Sequence, residues 1–143
     1  MITENSAGSV RKDVLKIDIQ ENVYMLVYHK NLDIGFGPTV ALYLYDVEYI
    51  KFDCFGETRG HYHVFNKKTD VRIYFTEKTV LEQINKVQHD LTNNVQTYLE
   101  ASNNNKIREF ILDMDVFRGK IPIAINTMIA YENTHYASLR DIN

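Results

Sequence analysis

Two histidines one residue apart, His61 and His63, follow an aspartate, Asp53, in KFDCFGETRGHYHVF, residues 51–65, of a chain that has 5 histidines in all. Two imidazoles and one carboxylate form a donor set that holds zinc, manganese or iron and leaves coordination positions open for water and substrate. A divalent ion bound there would lower the pKa of a water ligand to about 7 and so allow hydrolysis. The same residues support a chemistry that needs no ion. His61 and His63 could exchange roles as base and acid on a phosphodiester, since an unperturbed imidazole titrates near about 6.5. Asp53 would orient one ring, while Lys51 and Arg72 stabilised the charge developing on the phosphoryl oxygens. The plainer reading assigns no reaction: His63 hydrogen-bonds Asp53 as a satisfied polar pair, inside a structural or ligand- or partner-binding domain.

Each reading requires the three side chains to meet, and strand phasing decides whether they do. YIKFDCF, 49–55, and HYHVF, 61–65, flank GETRG, 56–60, as a hairpin. Side chains alternate between faces along a strand, so the apolar set marks the covered face. That set is Val40, Leu42 and Leu44 in 39–45, and Ile50, Phe52 and Cys54 in 49–55. It continues through Tyr62 and Val64, then through Val71, Ile73 and Phe75 in 71–75. Tyr43, Tyr45, Lys51, Asp53, His61, His63, Arg72 and Tyr74 then share the opposite face, joined by Tyr24 and Tyr28. A five-residue loop would set Asp53 opposite His63 and Phe55 opposite His61, with Cβ atoms roughly 5 Å apart.

The remaining elements complete an α+β pattern. DVLKIDI, 13–19, and VYMLVYH, 23–29, read as strands, NLDIGFGP, 31–38, as a loop, and NKKTD, 66–70, as a turn. Leu81, Ile84, Val87, Leu91, Val95 and Tyr98 fall on one helical stripe, opened by a capping box of Thr79 and Glu82 and ended by SNNN, 102–105. Ile107, Phe110, Ile111 and Met114 predict a second helix that stops near Gly119. Pro122 could open a third with Ile125, Met128 and Ile129, although IPIAI could also be a short strand. The expectation is an α+β domain over 12–143: an antiparallel meander of five or six strands, one long helix on one face and a helical C-terminal segment. A disordered arm, 1–11, precedes it.

Composition narrows the function classes. In 143 residues, hydrophobic residues make up 45% and charged residues 24%, an ordinary globular balance. A net charge of −3 gives no general attraction to nucleic acid or acidic membranes. With 1 cysteine, Cys54, no intramolecular disulfide forms and a thiolate-rich zinc site is excluded. No apolar run is long enough for a bilayer, and MITENSAGSVRK lacks the apolar stretch of a signal peptide, so a cytoplasmic protein is expected. The 10 tyrosines suit strands, and those on the polar face would stack unpaired bases if RNA or a nucleotide were the ligand. Otherwise that face would be covered by the C-terminal helices, a second copy of the chain or a protein partner. His29 at a strand end and His89 off the apolar stripe read as solvated, and His135 reaches a site only if the tail folds back. Glu57 and Arg59 read as turn charges, and Cys54 as a small core hydrophobe.

The HYH spacing resembles a fragment of the cupin metal motif. The glutamate which that motif places a few residues later is missing, since VFNKK comes next, and a cupin is not assigned. IKFDCFGETRGHYHVF also resembles small bacterial proteins of uncharacterised families, in which a strand ending in (R/K)-(F/Y)-D precedes a turn, an H-x-H strand and a helix. Some of them are described as components of toxin–antitoxin pairs. The likeness spans about residues 40–100 and centres on Asp53, His61 and His63. It implies a meander-plus-helix architecture, and from it a toxin-related ribonuclease is an expectation beside the binding domain.

Overall fold

Alternating and doubly apolar strands dictate a sheet that must be covered on at least one side, and the computed structural model, which describes residues 10–66 and 69–140, has that form. Six antiparallel strands lie side by side in chain order: β1 (Lys12–Gln20), β2 (Val23–Leu32), β3 (Gly35–Leu44), β4 (Val47–Asp53), β5 (His61–Asn66) and β6 (Thr69–Tyr74). The expected arm lies outside the described residues as far as residue 9, as do residues 67 and 68 of the expected 66–70 turn.

The expected loop over 31–38 is instead the tip of a hairpin. β2 runs on to Leu32, only Asp33 and Ile34 turn, and β3 begins at Gly35, with Lys30 opposite Gly37 and His29 opposite Pro38. Two glycines and a proline disguise this strand. Gly37 sits at φ +154, and a Cβ there would lie 2.3 Å from the Cys54 carbonyl oxygen. Glycine is therefore needed for close backbone approach within a strand and not for a turn. The β3–β4 turn is Tyr45–Asp46, both residues at positive φ, as a two-residue hairpin requires. That geometry swings Tyr45 onto the helix side, against Phe110 and under Lys106, and not onto the polar face expected for it.

Helices cover one face. The capping box closes as predicted, with Thr79 and Glu82 bonding each other's backbone N–H at the start of α1 (Val80–Asn93). Asn94 interrupts the expected long helix, and α2 (Val95–Glu100) carries the stripe on. Leu81 leaves the stripe and is exposed, while Val80, Ile84, Val87 and Leu91 are buried. After the short α3 (Asn105–Arg108), α4 (Met114–Tyr131) passes through both Gly119 and Pro122 without a break. Phe117, Ile121, Ala124, Ile125 and Met128 fix one buried phase across both residues. Gly119 and Pro122 face solvent, where the carbonyl that loses its N–H partner stays hydrated. A π-helical turn (Glu132–Tyr136) and α5 (Ala137–Arg140) extend the same rod. The expected second helix is instead the one-turn α3 followed by an irregular stretch, 109–113, that holds Phe110 and Ile111, and α4 starts at Met114 and runs through both the stop expected near Gly119 and the start expected at Pro122. Among the described residues no helix is long and apolar enough to cross a membrane.

The core joins α1, α2 and α4 to Ile17, Met25, Val27, Val40, Leu42, Ile50, Phe52 and Val64 from five strands. The other face holds a smaller apolar group, Tyr24, Leu26, Tyr28, Ala41 and Tyr43, at its β2–β3 end. Its β4–β6 end is polar. Gly119→Ala is expected to raise stability by about 0.5–1 kcal/mol, because an exposed helix interior gains from losing glycine's chain freedom. Gly37→Ala should lower it by more than that gain, through the clash and the positive φ. Urea midpoints of the two variants check both signs.

Candidate functional site

Register builds the site. One row of directly opposed residues crosses five strands, Tyr28, Thr39, Asp53, His61 and Tyr74. The next row on the same face is Leu26, Ala41, Lys51, His63 and Arg72. Asp53 therefore faces His61 and Lys51 faces His63, a shift of two residues from the expected pairing. A two-residue slip keeps every side chain on its face, which is why the grouping of Asp53, His61 and His63 survives.

The longer β4–β5 loop causes the shift. The Cys54 N–H donates to the Pro38 carbonyl at 3.0 Å, tying that residue back to β3, and Gly56–Gly60 closes a helical turn through Arg59 and Gly60 N–H bonds to the Gly56 carbonyl. The loop is also held by the helix layer. Buried Gln83 of α1 accepts from the Gly56 N–H at 2.9 Å and donates to the Glu77 carbonyl at 2.9 Å. Its amide lies so close to Gly60 that a Cβ there would stand 2.1 Å from Oε1.

Asp53 is 2% exposed and divides its oxygens between two tasks. Oδ1 accepts from the Thr39 hydroxyl at 2.7 Å and from the Lys30 ammonium at 3.0 Å. Oδ2 faces Nε2 of His61 at 3.2 Å and Nε2 of His63 at 3.7 Å. The Lys30, His61 and His63 side chains are all buried with it. Burial pushes the Asp53 pKa up, but the His61 hydrogen bond, the Lys30 and Lys51 charges and the Thr39 hydroxyl together outweigh it and hold the carboxyl well below the usual range. Burial pulls Lys30 down from its ordinary value, and the Asp53 charge offsets part of this.

The tautomer of His61 is set by its other nitrogen. Nδ1 lies 2.8 Å from the Arg59 carbonyl, an acceptor only, so Nδ1 carries a proton. In the neutral ring, Nε2 then presents a lone pair to the Asp53 carboxylate. That contact is favourable only when Nε2 is also protonated or when a cation lies between the two.

A cleft of about 300 Å³ opens over these groups, with Lys51, Arg72, Phe55 and Phe65 among its walls. The supporting residues Lys51 and Arg72 thus stand in the same cleft as the three central ones, Arg72 at its exposed side. Lys30, Thr39 and Glu48 belong to the site as well, unforeseen from sequence. Lys30 is two residues beyond Tyr28 and shares its face, but only if β2 is extended through the glycine-rich stretch. The tyrosines do not form the expected open platform. Tyr28 and Tyr43 are buried, Tyr24 stacks on Tyr43 with centroids 5.0 Å apart, and Arg11 and Lys16 lie over Tyr28 and Tyr24. Tyr74 alone of the row is largely exposed.

A family model described as a domain of unknown function, DUF7700, matches residues 6–128. The chain belongs to that family. No curated protein and no solved structure matches it. The part of this DUF7700 chain covered by the match runs from before β1 into α4 and includes every residue of the cleft.

Asp53→Ala leaves Lys30 buried without its anion and is expected to cost about 3–5 kcal/mol of stability. Lys30→Met in the Asp53→Ala background should recover part of that loss in a urea double-mutant cycle. Because the folded pKa of Asp53 is depressed, its contribution is complete above the ordinary value of 3.8 and is lost as pH falls below it. The stability gap between the parent and Asp53→Asn should therefore narrow on acidification below that value.

Proposed function

We propose that this chain is a ligand-binding domain whose Asp53, His61 and His63 hold a divalent transition-metal ion of the zinc, manganese or iron class. The observation that carries the reading is the convergence of His61 Nε2 and His63 Nε2 on a single carboxylate oxygen at 3.2 and 3.7 Å. Ligand atoms about 2.1 Å from a tetrahedral ion lie roughly 3.4 Å from one another, so the spacing suits shared ligation. The surroundings support it too. The Arg59 carbonyl fixes the tautomer that leaves Nε2 of His61 available, and Thr39 and Lys30 orient the carboxylate through the oxygen not facing the imidazoles. Such outer contacts are what metal-ligating histidines and carboxylates require. Lys30 keeps an N–H on Oδ1, leaving Oδ2 to face the imidazoles.

Three protein donors leave coordination positions open toward the cleft, where Lys51 and Arg72 supply positive charge. An anionic small ligand is the class this combination suits, as metal-bound oxyanion and basic side chains would be engaged together. No specific observation favours a phosphodiester hydrolase over binding alone.

Metal counting by mass spectrometry on tag-free protein dialysed against zinc or manganese tests the proposal. The His61→Ala/His63→Ala variant should hold one ion per chain fewer than the parent. Thr39→Val should keep the stoichiometry but weaken affinity about 10- to 100-fold. An equal count in the parent and the double variant would overturn the assignment.

A further inference from the structure

A second group of ligating side chains lies beyond the cleft, with no signature in the local sequence. His29, expected to be solvated, is 5% exposed, and the C-terminal helical rod brings His135 onto it. The two imidazoles stack with centroids 4.1 Å apart and planes 19° from parallel. Both direct Nε2 at Asp13 Oδ2, His29 at 2.7 Å and His135 at 3.7 Å.

We infer that Asp13, His29 and His135 form a second divalent-metal site, which clips the C-terminal helical rod to the β1–β2 edge of the sheet. Two backbone irregularities in separate elements both serve to bring these residues together. In β1 the pairing passes from Lys12–His29 to Leu15–Val27, so that Asp13 and Val14 lie against Tyr28 alone. Asp13 takes φ +53 there, a conformation that non-glycine residues adopt seldom and at a cost. In the C-terminal rod, the π-helical turn Glu132–Tyr136 inserts a residue and so rotates the rest of the rod by about 100° relative to a plain α-helix. His135 is inside that turn. The bulge presents the carboxylate, and the π turn presents the imidazole.

In the structure His29 Nε2 lies within hydrogen-bond distance of Asp13 Oδ2, at 2.7 Å, a bond that an ion entering between the two would replace. His29 has an ambivalent partner at Nδ1, the Tyr136 hydroxyl at 2.9 Å. When that hydroxyl accepts from Nδ1–H, Nε2 of His29 is released as a donor to a metal without movement of the ring. His135 Nε2, at 3.7 Å, is too far from Asp13 for a hydrogen bond. That distance falls in the range expected between two ligands of one ion. The side chains of His135 and Asp13 are 37% and 61% exposed, so an ion has a path in, while buried His29 anchors the set. The donor class, two imidazoles and one carboxylate, favours zinc over calcium or magnesium.

The two sites separate by experiment on the full, tag-free chain with zinc as the probe. The parent should bind two ions and His135→Ala one. A cleft variant, His61→Ala/His63→Ala, should keep the ion held by His135, and the combined variant should keep neither. Amide exchange over 132–140 should slow on adding zinc in the parent and in the cleft variant, and not in His135→Ala. Circular dichroism confirms folding, and His135→Gln, which keeps bulk and polarity, should lose the ion as well. Equal zinc counts in the parent, His135→Ala and His135→Gln would overturn this site and reduce the cluster to a hydrogen-bonded latch. Loss of the cleft's ion alone would leave it intact.

Discussion

A carboxylate with almost no access to water must find all its partners within the protein, and Asp53 finds them on three other strands. Lys30 comes from β2, Thr39 from β3, and His61 and His63 from β5. A slip by one residue in any of these pairings would send a member of the set to the opposite face. The same slip would turn the apolar residues of that strand out of the core, so the apolar layer demands the same phase as the buried charge. Its net worth to stability is small compared with the loss on removing one partner, because the desolvation of each ion opposes their attraction.

The two faces of the sheet divide the labour accordingly. The helix side is a continuous apolar layer in which α1, α2 and α4 supply the folding free energy. The other side is apolar only where β2 and β3 cross it, and becomes ionic toward β4–β6. Stacked and capped tyrosines separate the two regions and remain neutral: burial, with nearby Glu48, holds Tyr28 and Tyr43 above the ordinary phenol range. The cleft has buried Asp53, His61 and His63 at its floor and exposed Arg72 and Ile34 at its rim.

Much of this is legible in the residues alone. Alternation in IKFD and HYHV places Asp53, His61 and His63 together, and that conclusion is immune to the length of the intervening loop so long as the error is even. Thr79 and Glu82 mark a helix start because their reciprocal bonds are local. Lys30 is hidden because glycine and proline usually announce a turn, whereas here Gly37 answers to a close backbone approach by Cys54. Gly119 and Pro122 mislead for a related reason: their helix-breaking tendency is real, but the buried phase from Phe117 to Met128 outweighs it. The meeting of His29 with His135 has no local signature, since it arises from the docking of elements far apart in sequence.

Gln83 has a consequence that reaches outside its own helix. It stands in the helix layer yet its amide spans the space that a side chain at position 60 would fill, and it grips the loop leading into His61. Positions 60 and 83 are thus coupled: a residue larger than glycine at the first would push the amide of the second aside or require a shorter side chain there, and either change would release its bond to the loop. Relatives of this chain in which position 60 carries a larger side chain should carry a shorter one at position 83.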